Sequence, residues 1–198
     1  MTFIMGMQSG ISQKVGDAPP STNLDVAREL AGELASQIGD LLVQQDSGSV
    51  LLSVYPKESA WYVEDAIRRG LAEHRLHVIA LGQASYIAEF GLRAFRVEYS
   101  DIRRVGWFGS KIMNRRVTLQ LTTRVVDTQS GAIIGPSELT GERVDTIAVS
   151  DLGMVENPNL PATRGRLPEE GLFANVVEPL IAVGAIAVAV FLLFHVRS

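Results

Sequence analysis

In the N-terminal part of the chain, apolar residues recur first with the period of a helix and then form a short continuous run. This pair of patterns, helical and then continuous, occurs twice in succession. In the first helical stretch Thr22 and Asp25 stand three positions apart, which is the spacing of a capping box at a helix start. A strand–helix–strand unit in one sheet places its two strands parallel to each other. The pattern therefore predicts a helix, a strand, a helix and a parallel strand at residues 21–45, 50–55, 58–74 and 76–81.

Apolar and polar residues then alternate within residues 92–105, most clearly from Phe95 to Tyr99, and within 116–127, as in strands with one buried face. A turn at 127–131 leads into a return strand over 132–145, which predicts an antiparallel hairpin. Pro136 lies inside that return strand, so the strand is expected at a sheet edge or with a bulge. These elements predict an α/β (α+β) domain with a mixed sheet of about five strands and flanking helices.

The C-terminal part has a different composition. Residues 153–171 contain Pro158, Pro161 and Pro168 and predict a semi-extended linker. Residues 173–194 carry Glu178 as their only charge and would form a helix of about 33 Å, long enough to cross a bilayer. The alternative, a buried helix of a globular core, is disfavoured because the segment has no polar face. The sequence thus adds one C-terminal transmembrane helix to the fold.

The sequence thus predicts four parts of the chain. A flexible N-terminal arm (1–21) is followed by the α/β domain (22–152), the linker (153–171), and the transmembrane helix with a short tail (172–198). Within the membrane helix, Gly184, Ala185 and Ala189 form a small-residue face on which another helix could pack, and Glu178 belongs at a headgroup or against a partner. Positive charges flank both ends of the helix. Their distribution slightly favours a cytoplasmic location of the domain, and a periplasmic location is the alternative.

Composition and charge narrow the functional classes. The formal net charge is −4, which gives no overall reason to expect nucleic-acid binding. The chain has no cysteine, which removes disulfides, thiolate metal sites and a cysteine nucleophile. His74 and His77 lack nearby carboxylates at metal-ligand spacing, and the chain contains no glycine-rich phosphate loop or nucleophile elbow. We therefore expect no catalytic residue, no cofactor and no metal.

One stretch combines basic and aromatic side chains. Between residues 93 and 124 there are eight basic residues against two acidic ones, and two aromatic residues stand between glycines near the middle. Such a stretch suits a lipid headgroup interface or the pocket of a partner protein. Alternatively, the aromatic residues cover the open end of the sheet and the arginines are solvated. The candidate interface residues are Arg103, Arg104, Trp107, Phe108, Lys111, Arg115 and Arg116.

The hairpin region resembles the bacterial CsgG/FlgO-type envelope domain, which is related to the N-terminal domain of TolB. Its strand ends in an R-x-x-D-x-x-x-G pattern, which Arg124, Asp127 and Gly131 match, and the preceding helix and strand are also similar over residues 48–147. The resemblance implies turn-forming roles for Asp127 and Gly131 and a non-enzymatic part in a secretion, flagellar or envelope assembly. The chain departs from that family in having no lipid-anchoring cysteine and in carrying its apolar segment at the C-terminal end.

Together these features predict a non-enzymatic, single-pass accessory subunit of the bacterial inner membrane. Its partners would be the lipid bilayer and the integral membrane subunits of a secretion or envelope machine or of an energy-transducing complex; homo-oligomers stay open. The alternative is a tethered module that binds a small ligand or a lipid headgroup.

Overall fold

Two amphipathic helices lie on one face of a mixed six-stranded sheet in the computed structural model, which describes residues 19–44, 48–106 and 109–167. The predicted mixed α/β fold is confirmed. The sheet has six strands instead of about five because the return strand after the hairpin turn is divided into two pieces.

The helices are α1 (Asn23–Gln44), α2 (Lys57–Ala72) and the short α3 (Leu152–Val155). The strands are β1 (Ser49–Tyr55), β2 (His77–Ile79), β3 (Tyr86–Arg104), β4 (Lys111–Asp127), β5 (Ile133–Ile134) and β6 (Glu138–Ala148). Single 3₁₀ turns lie at Val149–Asp151 and Pro161–Thr163.

The sheet order is β2-β1-β3-β4, and both β5 and β6 pair with the far side of β4. Strand β1 is parallel to β2, as the strand–helix–strand pattern predicts, and it is also parallel to β3. Strands β3, β4 and β6 are antiparallel neighbours. The sheet therefore has a parallel half, which packs under α2, and an antiparallel half, which packs under α1.

The start of α1 is fixed by the predicted capping box. The backbone N–H of Asp25 donates to Thr22 Oγ1 at 3.1 Å, and the backbone N–H of Thr22 donates to Asp25 Oδ2 at 3.4 Å. These bonds satisfy amide groups that a helix start leaves without partners. Leu30, Leu34 and Ile38 then follow at helical spacing and are buried against the sheet.

Pro136 marks the division of the return strand. Strand β5 ends at Ile134, Gly135 has a φ of +81°, and β6 begins only at Glu138. The backbone N–H of Thr123 on β4 donates across the gap to the carbonyl of Ser137 at 2.8 Å. Because proline has no N–H to donate, it interrupts pairing at the edge of the sheet, which confirms the expectation for this position.

Among the described residues, helices cover one face of the sheet. On β4, Met113, Val117, Leu119 and Leu121 point into the core with at most 1% of their surface exposed. The alternate residues of β4 lie on the opposite face, which carries mainly polar and charged side chains at the surface. The alternation in the sequence therefore reflects a sheet with one face under the helices and one face without them. We call the second the open face of the sheet.

The described part of the predicted linker is packed against the domain. Val155 and Thr163 are fully buried. The backbone of Arg166 donates to the carbonyl of Val97 at 3.1 Å and accepts from the N–H of Tyr99 at 3.0 Å. Residues 164–167 thereby continue the sheet beside β3, beyond the point at which β1 has ended. The predicted division into domain and linker stays a prediction, but residues 153–167 do not run free of the domain.

No helix within the described ranges is long and apolar enough to cross a membrane. The transmembrane helix predicted from the sequence, with Glu178, Gly184, Ala185 and Ala189, lies outside the described residues.

The contact between α1 and α2 depends on a glycine. A Cβ atom added to Gly70 would lie 2.3 Å from the carbonyl oxygen of Gly32, so a side chain there would push the two helices apart. We expect Gly70→Ala to lower the free energy of unfolding by about 1–3 kcal/mol, the range for an overpacked core. Gly153→Ala is the matched control, because its Cβ would meet nothing within 4 Å. Urea unfolding of the detergent-solubilised full chain, followed by circular dichroism, measures both; equal stability of the two variants would contradict the expectation.

Candidate interaction surface

Strand β3 extends far beyond β1, and together with β4 it forms a hairpin whose end carries the predicted basic stretch. The last β1–β3 pair is Tyr55 with Gly91, whereas β3 and β4 stay paired as far as Arg104 and Lys111. Arg103, one position earlier, is also exposed. We call these three basic residues the hairpin tip. Trp107 and Phe108, predicted for the same surface, lie outside the described residues.

An irregular stretch of β3 precedes the tip. The pairing register shifts between Ser100 and Arg103, and Asp101 has a φ of +52°, in the left-handed region that few residues other than glycine adopt. Asn114 on β4 holds this stretch, because its side-chain N–H donates to Asp101 Oδ2 at 3.0 Å and its Oδ1 accepts from Arg103 at 3.5 Å. One carboxylate therefore lies beside the basic residues of the tip.

Part of the positive charge counted along the sequence is neutralised in space. Arg116 pairs with Glu142 at 3.6 Å, Arg124 pairs with Glu89 at 3.7 Å, and Arg93 pairs with Glu138. These carboxylates come from outside residues 93–124 and reach their partners across neighbouring strands on the open face. The excess of positive charge at the surface is thus smaller than the count along the segment suggests.

Arg115 does not belong to an accessible surface, although it was predicted there. Only 1% of its side chain is exposed, and its guanidinium group forms a two-pronged ion pair with Asp145 of β6. It also donates to the carbonyl of Ser21 at 2.6 Å and to Asn23 Oδ1 at 3.0 Å. On β4, Arg115 falls in phase with buried Met113 and Val117, whereas Arg116 points to the open face. This alternation is the signal that separates the two arginines.

The polar network continues from Asn23 to the C-terminal part of the domain. The side-chain amide of Asn23 donates to Tyr99 Oη at 2.9 Å and to the carbonyl of Thr163 at 2.8 Å. The Tyr99 hydroxyl donates to Glu156 Oε1 at 3.1 Å, and that oxygen also accepts from the N–H of Gly165. These contacts join the start of α1, the sheet and residues 156–165. The pattern of the sequence did not predict this network, because its members are far apart along the chain.

Burial raises the pKa of Tyr99 to about 12, above its ordinary value of 10.0. The loss of hydration is the largest cause, since it disfavours the charged phenolate. The raised pKa means that the neutral hydroxyl, which can donate to Glu156, is the form that the folded state favours. This contribution to stability is fully present below about pH 10 and is lost as the pH rises through about 12.

The histidines of the domain have ordinary surroundings. His74 follows the end of α2, and its ring contacts α1 through Ser36 Oγ at 2.7 Å and Asp40 Oδ1 at 3.2 Å. His77 is exposed on β2. In the described ranges no three His, Asp or Glu side chains are grouped so that they could hold a metal ion.

Comparisons with known proteins give a weak structural likeness and no match in sequence. No family model matches the chain, and no curated protein matches it. Among solved structures the chain is similar to the crystal structure of lipoprotein GNA1162 from Neisseria meningitidis, with 11% sequence identity and a TM-score of 0.30. The match covers 69% of this chain and 97% of that chain. A likeness at this level carries no inference about function.

The buried ion pair gives a direct test of the network. Arg115→Met leaves Asp145 and Asn23 without their partner, and breaking a buried pair in this way costs about 3 kcal/mol of unfolding free energy. The neighbouring Arg116→Met is the control. Its side chain is 54% exposed, so the loss of its pair with Glu142 should cost less than about 1 kcal/mol. Urea unfolding of both variants measures the difference, and similar values would show that Arg115 has no special role.

Proposed function

We propose that this protein is a non-enzymatic, membrane-anchored accessory subunit that docks onto a larger bacterial membrane assembly. The domain would be held at the inner membrane by a single transmembrane helix formed by residues 173–194. The resemblance to CsgG/FlgO-type envelope domains agrees with such a role. The assembly would be a secretion or envelope machine, or an energy-transducing complex with an additional subunit.

The observation that carries this proposal is the direction in which the described chain ends. Arg166 forms a parallel bridge with Glu98, so residues 164–167 run in the same direction as β3, towards the hairpin tip. The apolar stretch begins six residues after Leu167, a distance that an extended chain covers in at most about 20 Å. The membrane helix would therefore start close to the end of the domain that bears Arg103, Arg104 and Lys111.

This arrangement leaves the open face of the sheet for a partner. Several of its charges, such as those of Arg116 and Arg124, are matched by neighbours, and Val144 and Tyr55 stand exposed among them. A polar surface with few apolar anchors is typical of the interface of a subunit that also exists on its own. In the membrane, the face formed by Gly184, Ala185 and Ala189 would allow close packing with another helix. Glu178 would then lie near the headgroups or against that helix.

Membrane attachment can be tested in the full chain. Val183→Asp/Ile186→Asp places two charges near the middle of the apolar segment, each costing about 2.5–3.5 kcal/mol of insertion free energy. We expect this variant to leave the membrane fraction, whereas Val183→Leu/Ile186→Leu stays with it. The measurement is the pelleted fraction after washing bacterial membranes with alkaline carbonate. A wild-type chain released by that wash would contradict membrane anchoring.

Docking onto an assembly is tested separately, in the same preparation. Extraction with a mild detergent followed by sizing and mass spectrometry should show the chain together with membrane subunits in fixed proportion. A monodisperse monomer would contradict the accessory role and leave attachment untouched.

A second candidate function is headgroup binding by the hairpin tip, which the exposed Arg103 and Lys111 favour. Because the chain has no cysteine, one introduced cysteine gives a unique labelling position. We expect a polarity-sensitive dye at Ser110→Cys, beside the tip, to shift its emission to the blue in anionic bilayers. The control is Gln129→Cys, in the turn at the opposite end of β4. Equal emission from the two positions would contradict contact between the tip and the membrane.

A further inference from the structure

A cleft of about 470 Å³ lies along the edge of β3, between that strand and the C-terminal part of the domain. It exists because β1 pairs with β3 only as far as Gly91, and the chain returns to the edge of β3 only at Arg166. Phe95 and Arg96 of β3 line it on one side, and Arg164 and Arg166 line it on the other. None of these four belongs to the interface predicted from the sequence.

Three arginines meet at this cleft. Within the described part of the chain, no hydrogen bond or ion pair engages the side chain of Arg96 or that of Arg166. Among the described residues, Arg164 makes one hydrogen bond, from Nη2 to the carbonyl of Pro158 at 3.0 Å, which leaves most of its donors available. Glu98 is the one carboxylate that residues 19–167 contribute to the lining, so their contribution to the cleft has an excess of positive charge. The arginines elsewhere on the open face, such as Arg116 and Arg124, are paired instead.

The backbone adds a further donor. Val97 accepts from Arg166 through its carbonyl, so the backbone groups of Val97 point away from β4 and towards the cleft. In a strand the N–H and C=O of one residue lie on the same side. The N–H of Val97 therefore also points into the cleft, where no described residue accepts from it. Guanidinium and backbone N–H groups that converge in this way can bind an anion.

We propose that this cleft binds a phosphate group. A carboxylate has two oxygens and is satisfied by a single arginine fork, whereas a phosphate presents more acceptor oxygens and suits several converging donors. The phosphate could belong to an anionic lipid headgroup, given that Arg166 lies seven residues before the apolar stretch, or to a free anion in solution. The site stands on the geometry of the described residues and does not depend on the accessory-subunit function.

The test uses the detergent-solubilised full chain and two probes, which are dihexanoylphosphatidylglycerol at monomeric concentrations and inorganic phosphate. Binding is measured by ³¹P NMR line broadening and by titration. We expect Arg96→Gln/Arg166→Gln to weaken the binding of at least one probe by about tenfold or more, the loss of one or two charge-assisted hydrogen bonds. The control Arg68→Gln/Arg124→Gln removes the same charge from exposed positions outside the cleft and should change the dissociation constant less than about twofold.

The two probes separate the sources. Cleft-dependent binding of the lipid alone identifies a headgroup site, and equal cleft-dependent binding of both probes identifies a site for free phosphate. Absence of saturable binding, or an equal loss in the control, overturns the proposal. If the double glutamine variant unfolds at a lower temperature than the wild type, the single variants Arg96→Gln and Arg166→Gln replace it. Each removes one charged donor from the cleft, so unchanged affinity in both would also overturn the proposal.

Discussion

The structure depends on a buried arginine that has no access to water. The Arg115 guanidinium is paired by Asp145 and by oxygens of Ser21 and Asn23, so the charge keeps hydrogen-bond partners after it leaves the solvent. Removing a charge from water is expensive unless its donors are satisfied. The observed contacts satisfy them by bringing the start of α1, β4 and β6 together. Asn23, which accepts from Arg115, in turn donates to Tyr99 on β3 and to Thr163, so the hydrogen-bond network also includes these two residues.

That network determines where the chain goes after the sheet is complete. Asn23 and Tyr99 hold residues 156–165 through Thr163 and Glu156, and Arg166 then pairs with the free edge of β3. Gly165 is required at this point, because a Cβ atom there would lie 2.2 Å from the ring of Tyr99. The proposed membrane attachment and the proposed phosphate cleft both rely on this placement. The membrane attachment depends on the direction in which residues 164–167 leave the domain. The cleft is the gap that remains along β3 between the end of β1 and Arg166.

In this protein the number of basic residues in a segment does not predict the charge of the surface that the segment forms. The segment around the hairpin is strongly basic in sequence, yet several of its arginines meet glutamates from other strands on the open face. The cleft lined by Arg96, Arg164 and Arg166 keeps an excess of basic residues among the described ones. This group could not be recognised as a cluster from the sequence, since 68 positions separate Arg96 from Arg164.

The sequence by itself determined the elements whose stabilisation is local. The capping pair of Thr22 and Asp25, the parallel strand–helix–strand unit and the interruption at Pro136 follow from spacing, helix period and the missing N–H of proline. The tertiary structure alone decided that Arg115 is buried while Arg116 is exposed, and that proline-containing residues 153–167 pack on the domain. Those outcomes depend on hydrogen bonds between residues such as Asn23 and Thr163, which lie far apart in sequence, and no local pattern records such a contact.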